Sequence, residues 1–432
     1  MDIQKIRSDF PMLDPSKRMQ NHPLVYLDNA ATTFKPRCVV EAMDDYYNNF
    51  CANAHRGDYD LAHMVDTCYE EARKTLAKFI NARPEEVVFT SGASMSLNLV
   101  AYGYGMKLLT SNDEVLLTQA EHASNVLPWF KVAETIGCHI GYIPLDEEGR
   151  LTIENVEKSI TEHTKIISIA QVTNVLGFHV DIKAICKVAH EHNIIVIVDG
   201  AQSVPHQVTN VKDMDCDFLA FSGHKMCGPT GTGVLYGKYE LLQKMDPLMS
   251  GGGMNARFDM CGEVSYLLPP QKFEAGTQNI AGALGLAKAA EYLTAIGMEN
   301  IEAYEKELRA YAIQRLEEVE GITIYNRNAE SGIITFNLKD VFAQDAATYF
   351  NSKGVCVRSG QHCAKILMDF LKCHATVRAS IYFYNTKEEI DALVEACKTG
   401  SAIMIEVPTA PPNAACGVKA QTTMSPIASR KY

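Results

Sequence analysis

Two residues of this chain have the types and the placement to work as a pair, Lys225 and Asp199. Lys225 lies in FSGHKMCGPTGTG (221–233), where the apolar run from Asp217 to Phe221 gives way to a polar, glycine-rich loop. The run reads as a short buried strand and Ser222-Gly223-His224 as a turn, so the lysine falls just past the strand's end, where open α/β sheets bind ligands. Burial there would lower its pKa and free the amine to act as a nucleophile in a Schiff base. Taken alone, however, it is a single basic loop residue, and a solvated lysine explains it as well.

Asp199 changes that balance. It closes the run IIVIVD (194–199), whose successive β-branched residues describe a strand covered on both faces, as in a parallel sheet. A carboxylate at the end of such a strand needs a partner, because ionised groups are rarely buried alone. The partner inferred is the protonated ring nitrogen of pyridoxal 5'-phosphate, with Lys225 holding the aldehyde. An aspartate capping the following helix is the structural alternative.

The elements that must position this pair follow from the chain around it. Strand-like runs at Val87–Thr90, Glu114–Thr118 and Lys165–Gln171 alternate with helical stretches between about 87 and 240, the signature of a doubly wound, mostly parallel sheet with polar residues at the strand ends. Ser91-Gly92-Ala93-Ser94 forms a turn into a helix and outlines an anion site, with simple capping by a serine an equal reading. His122 follows another strand, where its ring could lie on a cofactor or serve as a hydrogen-bonded core histidine. His190 and His192 read as solvated and not as metal ligands, and no metal is expected. An alanine-rich helix from about Ala281 links to a pattern of helices and short strands that suits a smaller α+β domain. From Pro408 the composition shifts to Pro, Ala, Thr and Ser, expected as a flexible tail at 408–432. The domains expected are a large one at 26–290 and a small one built from 1–25 and 291–407.

With 52 acidic against 40 basic residues, bulk electrostatics argues against nucleic acid and anionic membrane as partners. No apolar run approaches the ~20 residues of a membrane span, and the start lacks a secretory pattern, so a cytoplasmic protein is expected. The 13 cysteines form no CxxC pair, which indicates neither a disulfide framework nor a zinc ribbon. Most are expected to be buried, and Cys363 stands apart because Arg358, His362 and Lys365 surround it in sequence, a setting in which positive charge favours thiolate.

Assembled, these stretches resemble the class V aminotransferase superfamily of pyridoxal phosphate enzymes, and within it the SUF-type (group II) cysteine desulfurases. The resemblance runs from about residue 6 to 405 through YLDNAATT, NAHRG, EHASNVLPW, NVLG, VDGAQS, FSGHKMCGPTGTG, FEAGT, VRSGQHCA and RAS. VDGAQS and SGHK mark the superfamily, and VRSGQHCA selects the desulfurase branch. The resemblance implies an aspartate aminotransferase-like (fold type I) α/β architecture, a mostly parallel seven-stranded sheet beside a smaller α+β domain.

It also implies roles. Lys225 would carry the cofactor, Asp199 would pair with its pyridine nitrogen, Gln202 would bond its phenolic oxygen and His122 would stack on its ring. Ser222, His224 and Ser94 would hold the phosphate, and Thr277 would reach the phosphate of the other subunit of a homodimer. Arg378 would grip the substrate carboxylate with Asn174 assisting, and His55 and Arg358 would line the substrate cavity. Cys363 would take the sulfur of L-cysteine as a persulfide, releasing alanine and feeding an acceptor protein of iron-sulfur cluster assembly. Selenocysteine lyase activity is a further implication. The chain departs from the family pattern at Ala93, at Ala123-Ser124, at Gln361 and at Ile366. The alternative expectation is another class V enzyme, an aminotransferase or carbon-carbon lyase, using the same Lys225 and Asp199.

Overall fold

Seven strands make the central sheet of the computed structural model, which describes residues 1–55 and 57–405. They are β1 (Val87–Thr90), β2 (Glu114–Thr118), β3 (His139–Ile143), β4 (Thr164–Ala170), β5 (Ile195–Asp199), β6 (Phe218–Ser222) and β7 (Gly233–Gly237). Their spatial order is β1-β7-β6-β5-β4-β2-β3, and only β7 runs against its neighbours. The expected mostly parallel, seven-stranded sheet is what the chain forms. The β-branched run of β5 is buried on both faces, its Val196 and Val198 in one apolar cluster and its Ile197 in another.

Because β1, β2, β4, β5 and β6 share one direction, their carboxyl ends meet at one edge. Thr90, Thr118, Ala170, Asp199 and Ser222 are the last residues of those strands. Each loop expected to carry chemistry therefore leaves the sheet at the same rim, the ligand-binding position of open α/β sheets.

A second sheet is antiparallel, with β8 (Ile322–Ile324), β9 (Ile333–Leu338), β10 (Arg358–Gly360) and β11 (Thr376–Ser380) in the order β8-β9-β11-β10. It has its own apolar cluster, in which Leu308, Phe336, Phe350 and Leu393 are fully buried. Val355–Cys356 lies outside this sheet and pairs in parallel with Val25–Tyr26. Phe10 and Leu13 belong to the apolar cluster beneath the large sheet, whereas Val25 and Leu27 belong to the cluster of the small one. Residues 406–432, with the expected tail, lie outside the described residues.

Two expectations are corrected here. His190 is not a solvated histidine, since its ring bridges Asp215 (3.1 Å) and Asp217 (2.9 Å) beside Lys238. A helical residue can reach such partners because the loop after helix Val211–Met214 folds back under it. Of the twelve cysteines among the described residues only five are buried, with Cys51, Cys261 and Cys363 exposed.

The 271–277 loop is tied to the large body by a buried ion pair. Arg73, in helix Asp60–Phe79, donates to both Glu274 oxygens at 2.7 and 2.9 Å, while Tyr69 Oη (3.0 Å) and the Phe89 amide (2.9 Å) complete the carboxylate's shell. The guanidinium also lies over the Tyr69 and Phe89 rings. Arg73→Ala would leave the Glu274 charge buried without its cation, a loss expected to cost about 3–5 kcal/mol in urea denaturation. A loss below about 1 kcal/mol would mean that water reaches the carboxylate and the pair is a surface one.

Candidate active site

The turn that carries Lys225 is fixed from outside the sheet. After β6 the chain makes a short helical turn, Gly223–Lys225. The carbonyl of His224 accepts from the Thr33 amide, Thr32 Oγ1 and Lys35 Nζ, each at 3.0 Å. The small residues Ala30 and Ala31 before those donors let the segment lie against the cavity wall. The lysine side chain then points into a cavity of about 270 Å³.

Asp199 meets it there from β5. Its Oδ1 accepts from the Ala201 amide at 2.9 Å, and among the described residues neither Asp199 nor Lys225 has an ion-pair partner. Burial lowers the Lys225 pKa to about 8, with Asp199 acting against the shift and the cations of Arg378 and Arg358 adding to it. Behind them Glu121, fully enclosed, is pushed up to about 7 by burial, although Thr118 Oγ1 (2.6 Å) and Asn125 Nδ2 (2.8 Å) both donate to it.

The same cavity is lined by His122, Gln202, Ser94, Ser222, His224, Asn174, Arg358, Cys363 and Arg378. His122 Nδ1 accepts from the Ser124 amide at 3.1 Å, and burial lowers its pKa, so the imidazole is neutral and can lie against a ring. Ser222 Oγ accepts from the Ala93 amide (2.8 Å) at the start of helix Ala93–Val100, and Ser94 shares a hydrogen bond of 2.6 Å with Ser124. Gly92, at φ +147°, would place a Cβ 3.2 Å from Ser222 Oγ, so a side chain there would crowd this end. With no threonine hydroxyl at Ala93, Ser124 is a further hydroxyl at the same wall.

Arg378 enters from β11 of the small sheet. It is 3 % exposed. Its guanidinium donates to the Asn174 carbonyl at 2.8 Å and approaches Asp28 at 3.5 Å, while Arg358 holds Asp28 from the other side at 3.1 Å. Asp28 was missed by sequence reasoning, although the signal that singled out Asp199, an acid just after a strand, was present in YLDN. It keeps two like charges together at the mouth of the cavity, where one would otherwise repel the other.

Cys363 is exposed on the loop between β10 and helix Lys365–Phe370. Both His362 (φ +51°) and Cys363 (φ +56°) are left-handed, a conformation that side-chain-bearing residues adopt only when surroundings impose it. The imposing contacts are the Ala123 amide on the Cys363 carbonyl (2.7 Å) and Asn174 Nδ2 on the His362 carbonyl (2.8 Å). His362 corrects an expectation. Its ring is buried against Thr376 (2.9 Å to Oγ1) and burial lowers its pKa to about 3, so it contributes no positive charge to Cys363.

Two residues lie away from this cavity. His55 is exposed (side chain 43 %) at the foot of helix Asp60–Phe79, 3.7 Å from both Asp66 and Glu70, and does not line the cavity as expected. Thr277 is exposed in a separate depression shared with Ser91, Met95 and Gly231.

The polar atoms left over describe a ligand. Among the described residues Gln202 Oε1, Asn174 Oδ1 and Arg378 Nε are buried without partners, and the Lys225 amine and the Asp199 carboxylate line the same cavity. Gln202 Nε2 donates to the Ala30 carbonyl (2.8 Å), so the amide is fixed edge-on to the cavity. A flat heteroaromatic carrying an aldehyde at one side, a ring nitrogen opposite and a phosphate toward Ser222 would meet Lys225, Asp199 and Gln202 together, leaving Arg378 Nε and Asn174 Oδ1 for a second ligand.

The comparisons with known proteins agree. Residues 25–393 match the model of the family Aminotransferase class-V. The chain belongs to that family. It is 47 % identical over 398 residues to a probable cysteine desulfurase of Halalkalibacterium halodurans, covering 91 % of this chain and 97 % of that protein. It is 44 % identical over 400 residues to one of Staphylococcus aureus, covering 92 % and 96 %. Among solved structures, the cysteine desulfurase CsdA of Escherichia coli in its S-sulfonic acid form superposes with a TM-score of 0.86 at 35 % identity, over 93 % of this chain and 99 % of that one. The apo cysteine desulfurase of Thermococcus onnurineus gives 0.87 at 38 % identity, over 92 % and 98 %. As a class V enzyme the protein uses pyridoxal phosphate, and the cavity has the donors and acceptors to hold it.

A consequence for pH follows from Lys225. Its ammonium is disfavoured by burial, so the free amine forms as pH rises through about 8. Uptake of pyridoxal phosphate by the apoprotein, followed by absorbance, is expected to accelerate through that pH and level off above it. A midpoint near the value of a free lysine, about 10.4, would show that water solvates the amine.

Proposed function

We propose that the protein is a cysteine desulfurase of the SUF type, converting L-cysteine to L-alanine and retaining the sulfur as a persulfide on Cys363. The observation that carries this reading is the opening of Cys363 into the cavity that also holds Lys225, Asp199 and Arg378. A class V aminotransferase or carbon-carbon lyase needs the last three residues but has no use for a thiol at that place.

Each residue has work that follows from its surroundings. Bound between Lys225 and Asp199, pyridoxal phosphate supplies an electron sink for bonds broken at the substrate's carbon atoms. Asp199 would keep the ring nitrogen protonated, the Ser222 and Ser94 hydroxyls with the Ala93 turn would hold the phosphate, and His122 would cover the ring. Arg378 binds the substrate carboxylate in two-pronged fashion, using the Nε that has no partner in the free enzyme. Lys225, whose pKa burial lowers to about 8 so that its free amine is available at mildly alkaline pH, takes the proton from the substrate's α-carbon.

Sulfur transfer falls to Cys363. Its thiolate attacks the substrate sulfur, so that a sulfur–sulfur bond forms as the carbon–sulfur bond breaks. The electron pair of the broken bond stays with the carbon skeleton, which leaves as alanine after protonation. An exposed Cys363 can then hand its outer sulfur to an acceptor thiol of an iron-sulfur assembly protein. L-Selenocysteine, which differs from L-cysteine only in its chalcogen, fits the same contacts. The proposed compartment is the cytoplasm, where free thiols persist in a reducing pool; among the described residues no helix is long and apolar enough to cross a membrane.

A homodimer completes the proposal. Exposed Thr277 and His55 have no task within their own chain, and the hairpin Asn255–Phe258 with Val264–Tyr266 projects Phe258 and Met260 into solvent. A second copy placing Thr277 at the phosphate gives these groups partners.

Replacing Cys363 with alanine is expected to lower alanine release from L-cysteine by at least about two orders of magnitude. Borohydride should still fix the cofactor on Lys225 in that variant. Alanine and sulfide release at the wild-type rate, with or without a thiol reductant, would refute the persulfide route.

A further inference from the structure

Two hydroxyls from different strands meet at the cavity wall. Ser94 stands in the first turn of helix Ala93–Val100, which follows β1, and Ser124 in the short turn Ala123–Asn125, which follows β2. Both line the cavity, and their oxygens are 2.6 Å apart. Among the described residues neither hydroxyl has another protein partner. The approach is imposed by the backbone on the Ser124 side. The Ala123 amide donates to the Cys363 carbonyl (2.7 Å), the Ser124 amide to His122 Nδ1 (3.1 Å) and Asn125 Nδ2 to Glu121 (2.8 Å), so the turn is pinned before, at and after Ser124. Its hydroxyl is delivered to Ser94 by a rigid support.

Each serine carries one hydroxyl hydrogen, and a bond between the two uses only one of them. What arrives at the wall decides which. The N-terminal end of helix Ala93–Val100 favours an anion, and Ser222 Oγ, which accepts from the Ala93 amide (2.8 Å), keeps its own hydrogen for the same anion. A phosphate only accepts, so Ser94 must turn its hydrogen toward it, and the lone pair this leaves on Ser94 Oγ is filled by the Ser124 hydrogen. We propose that Ser124 is a positioning residue for Ser94: its hydroxyl donates to Ser94 Oγ and so holds the Ser94 hydroxyl pointed at the cofactor phosphate. The inference rests on the reading of Ser94 as a phosphate ligand. Bonds in such a row polarise one another, and Ser124 strengthens phosphate binding without touching the phosphate.

Titration of the full-length protein, freed of cofactor, with pyridoxal phosphate and separately with pyridoxal tests this, binding being read from the imine absorbance. Pyridoxal has the ring and aldehyde but no phosphate. Ser124→Ala keeps the backbone bond to His122 and is expected to raise Kd for pyridoxal phosphate about threefold to tenfold, the net worth of one neutral hydrogen bond, with Kd for pyridoxal unchanged. Ser94→Ala removes the donor that meets a charged group and should raise Kd for pyridoxal phosphate about tenfold or more. With Ser94 gone the Ser124 hydroxyl has nothing to hold, so the double variant should match Ser94→Ala within about twofold. An unchanged Kd in Ser124→Ala beside a raised one in Ser94→Ala would overturn the inference and leave the phosphate reading standing. Equal weakening of pyridoxal and pyridoxal phosphate in Ser124→Ala would overturn it too, because the loss would then pass through the ring and His122. Additive losses in the double variant would make Ser124 an independent ligand and refute the relay, and an unchanged Kd in Ser94→Ala would remove the phosphate reading together with the inference.

Discussion

Asp199 and Lys225 are held on neighbouring strands, β5 and β6, with opposite charges facing the same cavity and no bond between them. Strand geometry creates the separation, because Asp199 is the last residue of its strand and lies opposite Ala220, whereas Lys225 follows the turn after Ser222. A salt bridge between them would stabilise the free protein and fill the site. Keeping them apart leaves an amine with a lowered pKa and a carboxylate with spare valence. The protein tolerates this because β5 and β6 are anchored by buried side chains on both faces, Val196, Val198, Leu219 and Phe221 in one apolar cluster and Ile197, Phe218 and Ala220 in the other. Two unpaired groups at one edge cannot bend strands fixed so firmly along their lengths.

What the sequence made readable was this edge. The β-branched run before Asp199 has only one natural home, the middle of a parallel sheet, and once β5 is placed the ends of its parallel neighbours must fall beside it. Ser94, His122 and Lys225 each follow a strand closely enough for local pattern to mark them as candidates, whereas Asn174 and Ser222 gained their roles from the family resemblance. Arg378 and Cys363 belong to a different sheet, and no periodicity says that β11 faces the rim of β4. They were found because their motifs resemble those of a family, and the contacts between the two bodies supply the physical reason: the loop after β4 offers its carbonyls outward and the small sheet answers with Arg378, Thr335 and Asn326.

Other features were hidden because they depend on what a side chain meets and not on where it falls in a pattern. His362 neighbours Cys363 in sequence, yet the left-handed turn sends the histidine inward to Thr376 and the cysteine outward. Proximity along the chain thus misled the electrostatic reading. Arg73 and Glu274, far apart in sequence, look like two ordinary surface charges until the helix and loop that carry them close on Phe89. His55 and Thr277 show the reverse. Their motifs place them in a site, yet neither residue lines the cavity of this chain.

The register between the Lys225 amine and the Arg378 guanidinium is set by one stretch of backbone. Residues 25–35 begin as a strand beside Val355–Cys356, continue past β11, where the Ser380 amide donates to the Leu27 carbonyl at 2.7 Å, and end by holding the His224 carbonyl. Asn29 adds a bond from its Nδ2 to the Ser380 carbonyl at 2.8 Å. Arg378, two residues before Ser380, and Lys225, the residue after His224, are therefore attached to the two ends of one short segment, folded at a turn that the Ala31 amide closes on the Asp28 carbonyl (3.1 Å). Its length cannot change without breaking these bonds, so the distance between the groups does not depend on the long path through the sheet and the intervening helices. Small residues at Ala30 and Ala31 serve the same end, since a larger side chain would push this strap away from the cavity it spans. A motif that looks featureless as chemistry, YLDNAATT, is in this sense the ruler of the site.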